Sequence, residues 1–205
     1  MKRHLILLTV LFLILFSCRN ESKKGIAQET KQEIKKQEIE FPFDWTKTIL
    51  LKEKLISQLN EKKEPIDRIL FNFLEEYSKI IEEANDVLNK QTNYDSLNTL
   101  IYGDEKLVKQ CALDFEKKVE TNGLRIAASE AMIYITKNSN FIKSKTVELI
   151  DSISIEFLNL YCNETDKICC EDAGLIITRK ELVDRIYKWG ELLDKTSNLA
   201  YNKIV

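Results

Sequence analysis

The sequence predicts an all-α fold, an antiparallel bundle of five or six helices that follows a disordered tether. After Trp45, apolar residues recur at spacings of three and four, which is the helical period. Pro65 is the only proline in that part of the chain and glycines are sparse, so few residues would interrupt a helix. Strand-type alternation is confined to residues 175–177.

The first two predicted helices are separated by a short break. Asp44 or Thr46 can cap a first helix that runs to about Lys62. Pro65 suits the first position of the second helix, whose long apolar stripe needs partner helices of similar length. That stripe consists of Ile66, Ile69, Leu70, Phe73, Tyr77, Ile80, Ile81, Ala84, Val87 and Leu88.

The third and fourth predicted helices lie beyond a polar loop over residues 89–103. Asp104 can cap the third helix, which ends at Asn122-Gly123, a pair suited to a left-handed helix stop. Residues 124–136 are apolar over most of a helix circumference. Their alanines, Ala127, Ala128 and Ala131, would allow close approach of a neighbour, so this segment is predicted to be the central, most buried helix.

Two further helices complete the predicted bundle. A fifth begins at Ser139 or Asn140 and runs to about Tyr161. Thr178 and Glu181 form a capping box that predicts the start of the last helix. The apolar positions of that last helix are Leu182, Val183, Ile186, Trp189, Leu193 and Leu199.

The first residues of the chain have the organisation of an export signal. A basic segment, residues 2–4, precedes an apolar run over residues 5–16, and the small Ser17 stands just before Cys18. A run of this length forms only about 18 Å of helix, too short for a hydrocarbon core of roughly 30 Å. We therefore interpret residues 1–17 as a cleaved leader.

The end of the leader, Leu15-Phe16-Ser17-Cys18, resembles the lipobox of bacterial lipoproteins. The resemblance implies cleavage after Ser17 and a lipid on the Cys18 thiol, which would anchor the chain to a membrane. Arg19 replaces the aspartate associated with inner-membrane retention, which favours the outer membrane, with the domain in the periplasm or at the cell surface. The alternative is a secretory signal peptide in which Cys18 is incidental.

Cleavage changes the charge and the available chemistry. The chain has 31 basic and 33 acidic residues. Loss of Lys2 and Arg3 leaves 29 basic residues and a net charge of about −4. Because the two signs are interspersed, no basic stripe indicates nucleic acid. His4 is the only histidine, so the mature chain cannot form imidazole-dependent catalytic or metal sites. We expect a non-enzymatic protein without a cofactor.

The mature chain divides into a tether and one domain. Residues 18–40 hold the lipidated cysteine and a Lys-, Glu-, Gln- and Ser-rich segment that cannot bury enough surface to fold alone. As a coil this tether would reach on the order of 25 Å from the lipid. Residues 41–205 are predicted to form a single α-helical domain.

Aromatic residues provide the candidate partner-binding positions. Phe41, Phe43 and Trp45 lie around a proline at the start of the domain. They form either a strap that packs on the domain or an exposed docking segment. Tyr102, in the polar loop, is the fourth candidate, because loops often carry recognition.

Four cysteines remain besides the anchor: Cys111, Cys162, Cys169 and Cys170. An even number outside the cytoplasm favours disulfides. One would close the short turn between Cys162 and the adjacent pair, and Cys111 would bond the other member or stay buried and free. The alternatives are a thiolate site for a soft metal such as zinc or copper(I), which lacks CxxC spacing here, and a redox-active pair.

Three functions are compatible with this reading. The first is a membrane-anchored, non-enzymatic helical module that binds another envelope protein or contributes to an envelope assembly. The second is an immunity or inhibitor protein that neutralises a toxin or lytic enzyme. The third is a thiolate metal or redox protein that uses Cys162, Cys169 and Cys170.

Overall fold

The computed structural model is mostly helical, with two small antiparallel hairpins. It describes residues 39, 41–90, 97, 110–129, 132–171, 174–196 and 200. All of these belong to one compact unit, Glu38–Val205. The predicted leader, the lipidation site Cys18, almost all of the tether and Tyr102 lie outside the described residues.

Six helices and four strands are delimited within the described residues. The helices are α1 (Thr46–Glu61), α2 (Ile66–Leu88), α3 (Gln110–Thr121), α4 (Ser139–Lys143), α5 (Ser152–Asp166) and α6 (Arg179–Lys195). The strands are β1 (Leu124–Ser129), β2 (Met132–Lys137), β3 (Cys170–Glu171) and β4 (Gly174–Leu175), with β1 paired to β2 and β3 to β4.

Several local predictions are confirmed. The α1 and α2 helices occupy the predicted segments, and Ile69, Leu70 and Tyr77 of the α2 stripe are buried. Thr178 Oγ1 accepts a hydrogen bond from Glu181 N at 3.1 Å, as the capping box requires. Gly123 has a φ of 79°, the left-handed conformation expected where α3 ends.

The prediction of a central helix over residues 124–136 is wrong, because this segment forms the β1–β2 hairpin. Its register pairs Leu124 with Lys137 and Ser129 with Met132. Burial along β2 alternates, with Ile133 and Ile135 buried between more exposed neighbours, which is the period of a strand. The segment is rich in β-branched residues, and these favour a pleated, half-buried surface.

Asn85 of α2 joins the hairpin to the helical layer. Its Nδ2 donates to Ile135 O at 2.8 Å, and its Oδ1 accepts from Ile135 N at 2.7 Å. The side-chain amide thus provides both hydrogen bonds that a further strand would offer to this residue. The outer edge of β2 is satisfied at that point without a longer sheet.

The predicted fifth helix is also wrong in part, because it is divided in two. Asn138 Oδ1 caps the short α4 by accepting from Phe141 N, and Asp151 Oδ1 caps α5 by accepting from Ser154 N. Between the two helices Lys145 adopts a positive φ of 59°, which is incompatible with a continuous helix.

Both strands of the β1–β2 hairpin pack against helices. The β2 strand packs on α2 and β1 packs on α3, while α1 lies along α2. On the other side α5 contacts both α4 and α6. The largest fully buried side chains include Tyr77, Phe157 and Leu124. Among the described residues, none of the helices is both long enough and apolar enough to cross a bilayer.

Candidate functional site

The aromatic residues at the start of the domain form a strap. Phe41 and Phe43 are only 7% and 8% exposed. The Phe41 ring lies 5.0 Å from that of Phe115 on α3 and 5.3 Å from Trp45, between ring centroids. Lys118 Nζ lies 5.7 Å from the Trp45 ring. These contacts favour packing over docking, because little of the two phenylalanines is left for a partner.

No disulfide joins the four described cysteines, Cys111, Cys162, Cys169 and Cys170, and each of them is free. Cys162 lies on the buried side of α5, where burial raises the pKa of its thiol. Cys169 and Cys170 lie instead at the β3–β4 hairpin, with Cys170 exposed. Cys162 is therefore buried, whereas Cys169 and Cys170 are partly or fully exposed, although all three are close together in the sequence.

The sulfur atoms of the adjacent cysteines, Cys169 and Cys170, lie next to each other. Cys169 Sγ lies 3.2 Å from Cys170 Sγ, within hydrogen-bond distance for sulfur. This contact raises the pKa of Cys170, so its side chain is a thiol at neutral pH.

A buried arginine fixes the inner face of α6. Arg185 is 5% exposed. It donates to Glu164 Oε2 of α5 at 2.8 Å, to Glu181 Oε1 at 2.9 Å and to Lys167 O at 2.7 Å. Trp189 Nε1 adds a bond to Glu164 Oε1 at 3.3 Å. Hydrogen bonds from Lys167 and then Arg185 lower the pKa of Glu181, which stays ionised and keeps the network charged.

The opposite side of α6 is apolar and exposed. Val183, Ile186 and Tyr187 are 52%, 62% and 72% exposed. They lie at helical spacing with Gly190, where an added Cβ would meet no atom within 4 Å. We call Val183, Ile186, Tyr187 and Gly190 the outer face of α6. Val183 and Ile186 belong to the apolar positions predicted for the last helix, and both are exposed in the structure.

The hairpin that precedes α6 exposes further apolar side chains. Leu175 and Ile176 are 47% and 51% exposed, whereas Ile177 is buried. Exposed apolar side chains scattered singly are normal on protein surfaces, but a set on one helix face next to an apolar hairpin is typical of an interaction site.

A groove between α1 and α2 is another candidate site. This open groove of about 410 Å³ has an apolar floor that includes Leu50 and Ile80. Its lysines are already paired with carboxylates: Lys47 with Glu83, Lys54 with Glu76 and Lys79 with Glu75. Paired surface charges offer little to a charged ligand, so the outer face of α6 is the better candidate site.

The described part of the chain contains no cluster of three or more histidine, cysteine or acidic residues that could hold a metal ion. No protein-family model, curated protein or solved structure matches this chain. Function must therefore be inferred from the site itself.

Proposed function

We propose that this protein is a lipid-anchored, non-enzymatic binding module of the bacterial envelope that docks another protein on the outer face of α6. The observation that carries the proposal is the exposure of Val183, Ile186 and Tyr187 on a helix whose other side is fixed by Arg185. Burying such side chains is favourable by about 25 cal/mol per Å² of apolar surface. Tyrosine and isoleucine at the centre of an interface can supply much of the binding energy.

The charges around the outer face favour a protein partner over a lipid surface. The exposed cations of this helix are Arg179, Lys180, Lys188 and Lys195, and its exposed acids are Asp184, Glu191 and Asp194. Lys195 is paired with Glu156 of α5, so the remaining charges are balanced. A helix that lies on anionic lipid usually carries a strongly basic polar face, which α6 does not have. An apolar centre with a rim of mixed charge is the usual anatomy of a protein interface.

The outer face predicts a site-specific cross-link. A photoreactive phenylalanine analogue at Tyr187, in the full chain in intact cells, is expected to give one stoichiometric adduct with another envelope protein. Adding Ile186→Glu should reduce that adduct at least tenfold, because a charge then replaces a central apolar contact. Quantitative immunoblotting measures the adduct, and mass spectrometry of the purified adduct identifies the partner.

The control is Met132→Glu, which places the same charge at another exposed apolar residue, 60% exposed on β2. It should leave the Tyr187 adduct unchanged. Equal losses in the two variants, an adduct with a second copy of this chain, or an adduct with lipid alone would contradict the docking proposal. An adduct with a toxin or lytic enzyme would assign the partner to the immunity or inhibitor class.

The anchor is tested separately with Cys18→Ala. Without the thiol no lipid can be attached, so the protein should move from the membrane pellet to the soluble envelope fraction. Fractionation and immunoblotting of wild type and variant measure the shift, with Cys111→Ala as the matched control that stays in the pellet. Continued membrane association of Cys18→Ala would contradict lipid anchoring and leave the docking experiment unaffected.

A further inference from the structure

The β3–β4 hairpin brings two thiols together at the surface. Cys169 Sγ and Cys170 Sγ are 3.2 Å apart, and Cys170 is exposed. The hairpin is held by a hydrogen bond from Ile176 N to Cys169 O at 3.0 Å and by pairing of Cys170 with Leu175. A soluble oxidant can reach this pair, whereas Cys162 is shielded by burial.

The geometry does not favour a metal. Two sulfurs bound to one tetrahedral zinc, with bonds of about 2.3 Å, lie about 3.8 Å apart, which exceeds the 3.2 Å separation observed here. A structural zinc site also needs four ligands, and within the described ranges no third histidine, cysteine or acidic side chain joins the pair. Two thiols without further ligands can instead form a disulfide with each other when a small-molecule disulfide accepts the two electrons.

We propose that Cys169 and Cys170 form a redox-active dithiol that closes reversibly to an adjacent-cysteine disulfide by exchange with a small-molecule disulfide. One cysteine gives up its proton to water, and its thiolate attacks a sulfur of the oxidant, forms a mixed disulfide and releases a small thiolate that takes up a proton. The second cysteine is then deprotonated in the same way, attacks the cysteine sulfur of the mixed disulfide and releases the second small thiol. The protein loses two electrons and two protons, and the oxidant gains both. This inference does not depend on the docking proposal.

Chain geometry explains why such a bond would be labile. Adjacent residues joined by a trans peptide have Cα atoms about 3.8 Å apart, whereas disulfides usually join Cα atoms about 4.4–6.8 Å apart. Closing the ring therefore strains the backbone of β3, and strained, exposed disulfides are the ones that exchange readily. Neither thiol is bonded to a cysteine elsewhere in the described residues, because Cys111 and Cys162 are free as well.

The test uses the full-length protein in detergent with defined ratios of oxidised and reduced glutathione. Samples are quenched in acid, alkylated and digested with trypsin, which cleaves after Lys167 and Arg179 and releases both cysteines in one peptide. Oxidised glutathione is expected to remove both alkylation sites and to make this peptide lighter by two hydrogen atoms. Excess reduced glutathione should restore both sites. The peptides that carry Cys111 and Cys162 serve as internal references.

The variant Cys170→Ser separates the two steps of exchange. It leaves Cys169 without a resolving thiol, so oxidised glutathione should trap one glutathionyl group on the peptide, which a merely structural pair would not do. The proposal is overturned if the wild-type peptide keeps two alkylatable thiols at every ratio or ends with two glutathionyl groups. A cross-link between this peptide and that of Cys111 or Cys162 would also overturn it.

Discussion

Phe73→Ala is expected to lower the free energy of unfolding by about 3–5 kcal/mol. Phe73 lies on the inner stripe of α2 and is 3% exposed. Its ring stacks on that of Tyr77 with centroids 5.6 Å apart, and Lys52 Nζ lies 5.8 Å from its centroid. Truncation removes apolar burial and leaves a cavity between α1 and α2 that the surrounding helices cannot fill completely.

Urea unfolding monitored by circular dichroism measures this loss, with the two-state analysis suited to one compact unit. The matched control is Phe71→Ala, because Phe71 is the same residue on the same helix but only half-buried. It should cost clearly less than Phe73→Ala. Similar losses in both variants, or an unchanged Phe73→Ala midpoint, would show that the inner stripe of α2 does not carry the core.

The sequence predicts the parts of this fold where local and tertiary preferences agree. In α2 an apolar stripe repeats over six turns, and six of the seven buried residues of the helix belong to that stripe, Leu74 being the exception. The capping box at Thr178 fixes the start of α6 through hydrogen bonds between neighbours. Such features are encoded within a few residues and do not depend on the rest of the chain.

Where the prediction failed, long-range contacts decide the structure. Residues 124–136 have apolar side chains on most helical positions, and periodicity alone does not separate a buried helix from a buried hairpin. The hairpin is selected by its partners, such as Asn85 of α2, which pairs with the backbone of Ile135 fifty residues away. The dense β-branched residues were the available local indication.

The outer face of α6 could not be predicted from the sequence for a related reason. Apolar residues lie on both sides of α6, and the sequence does not say which side meets α5. Arg185 determines which side of α6 is buried. Its ion pairs with Glu164 and Glu181 hold the arginine inside and leave Val183 and Ile186 outside. An arginine on the buried side of a helix is contrary to the usual pattern, so the apolar positions of this helix did not indicate which side is buried.

The second large effect concerns Lys52, a cation buried on α1. It is 8% exposed. Its Nζ donates to two uncharged oxygens, Ile142 O at 2.7 Å and Thr146 Oγ1 at 2.6 Å. It lies 5.4 Å from the centroid of the Phe141 ring. Burial lowers the pKa of Lys52 from its ordinary value of 10.5 to about 8. The ionised lysine therefore opposes folding at neutral pH, although its ammonium group donates two hydrogen bonds.

The direction of the pH dependence follows from this depressed pKa. Between pH 8 and pH 10.5 the unfolded chain keeps the Lys52 proton while the folded chain loses it. Stability therefore rises with pH across this window. The full gain from Lys52 is about 3 kcal/mol, since each pKa unit corresponds to about 1.4 kcal/mol. Burial also raises the pKa values of Cys162 and Tyr77, and these groups lower stability at high pH, so Lys52 must be isolated by comparison with a variant.

Lys52→Met provides that comparison, because methionine keeps most of the side-chain volume without the charge. Thr146 Oγ1 still donates to Ile142 O at 2.8 Å, so this carbonyl keeps a hydrogen bond in the variant. Urea unfolding at pH 7 and pH 10 should show wild type gaining about 2.5 kcal/mol relative to Lys52→Met, most of the full effect, because pH 10 is still below the pKa of the unfolded chain. Lys54→Met, at an exposed lysine paired with Glu76, is the control and should run parallel to wild type. Parallel curves for wild type and Lys52→Met would mean that Lys52 keeps an ordinary pKa and that its charge is solvated in the folded protein.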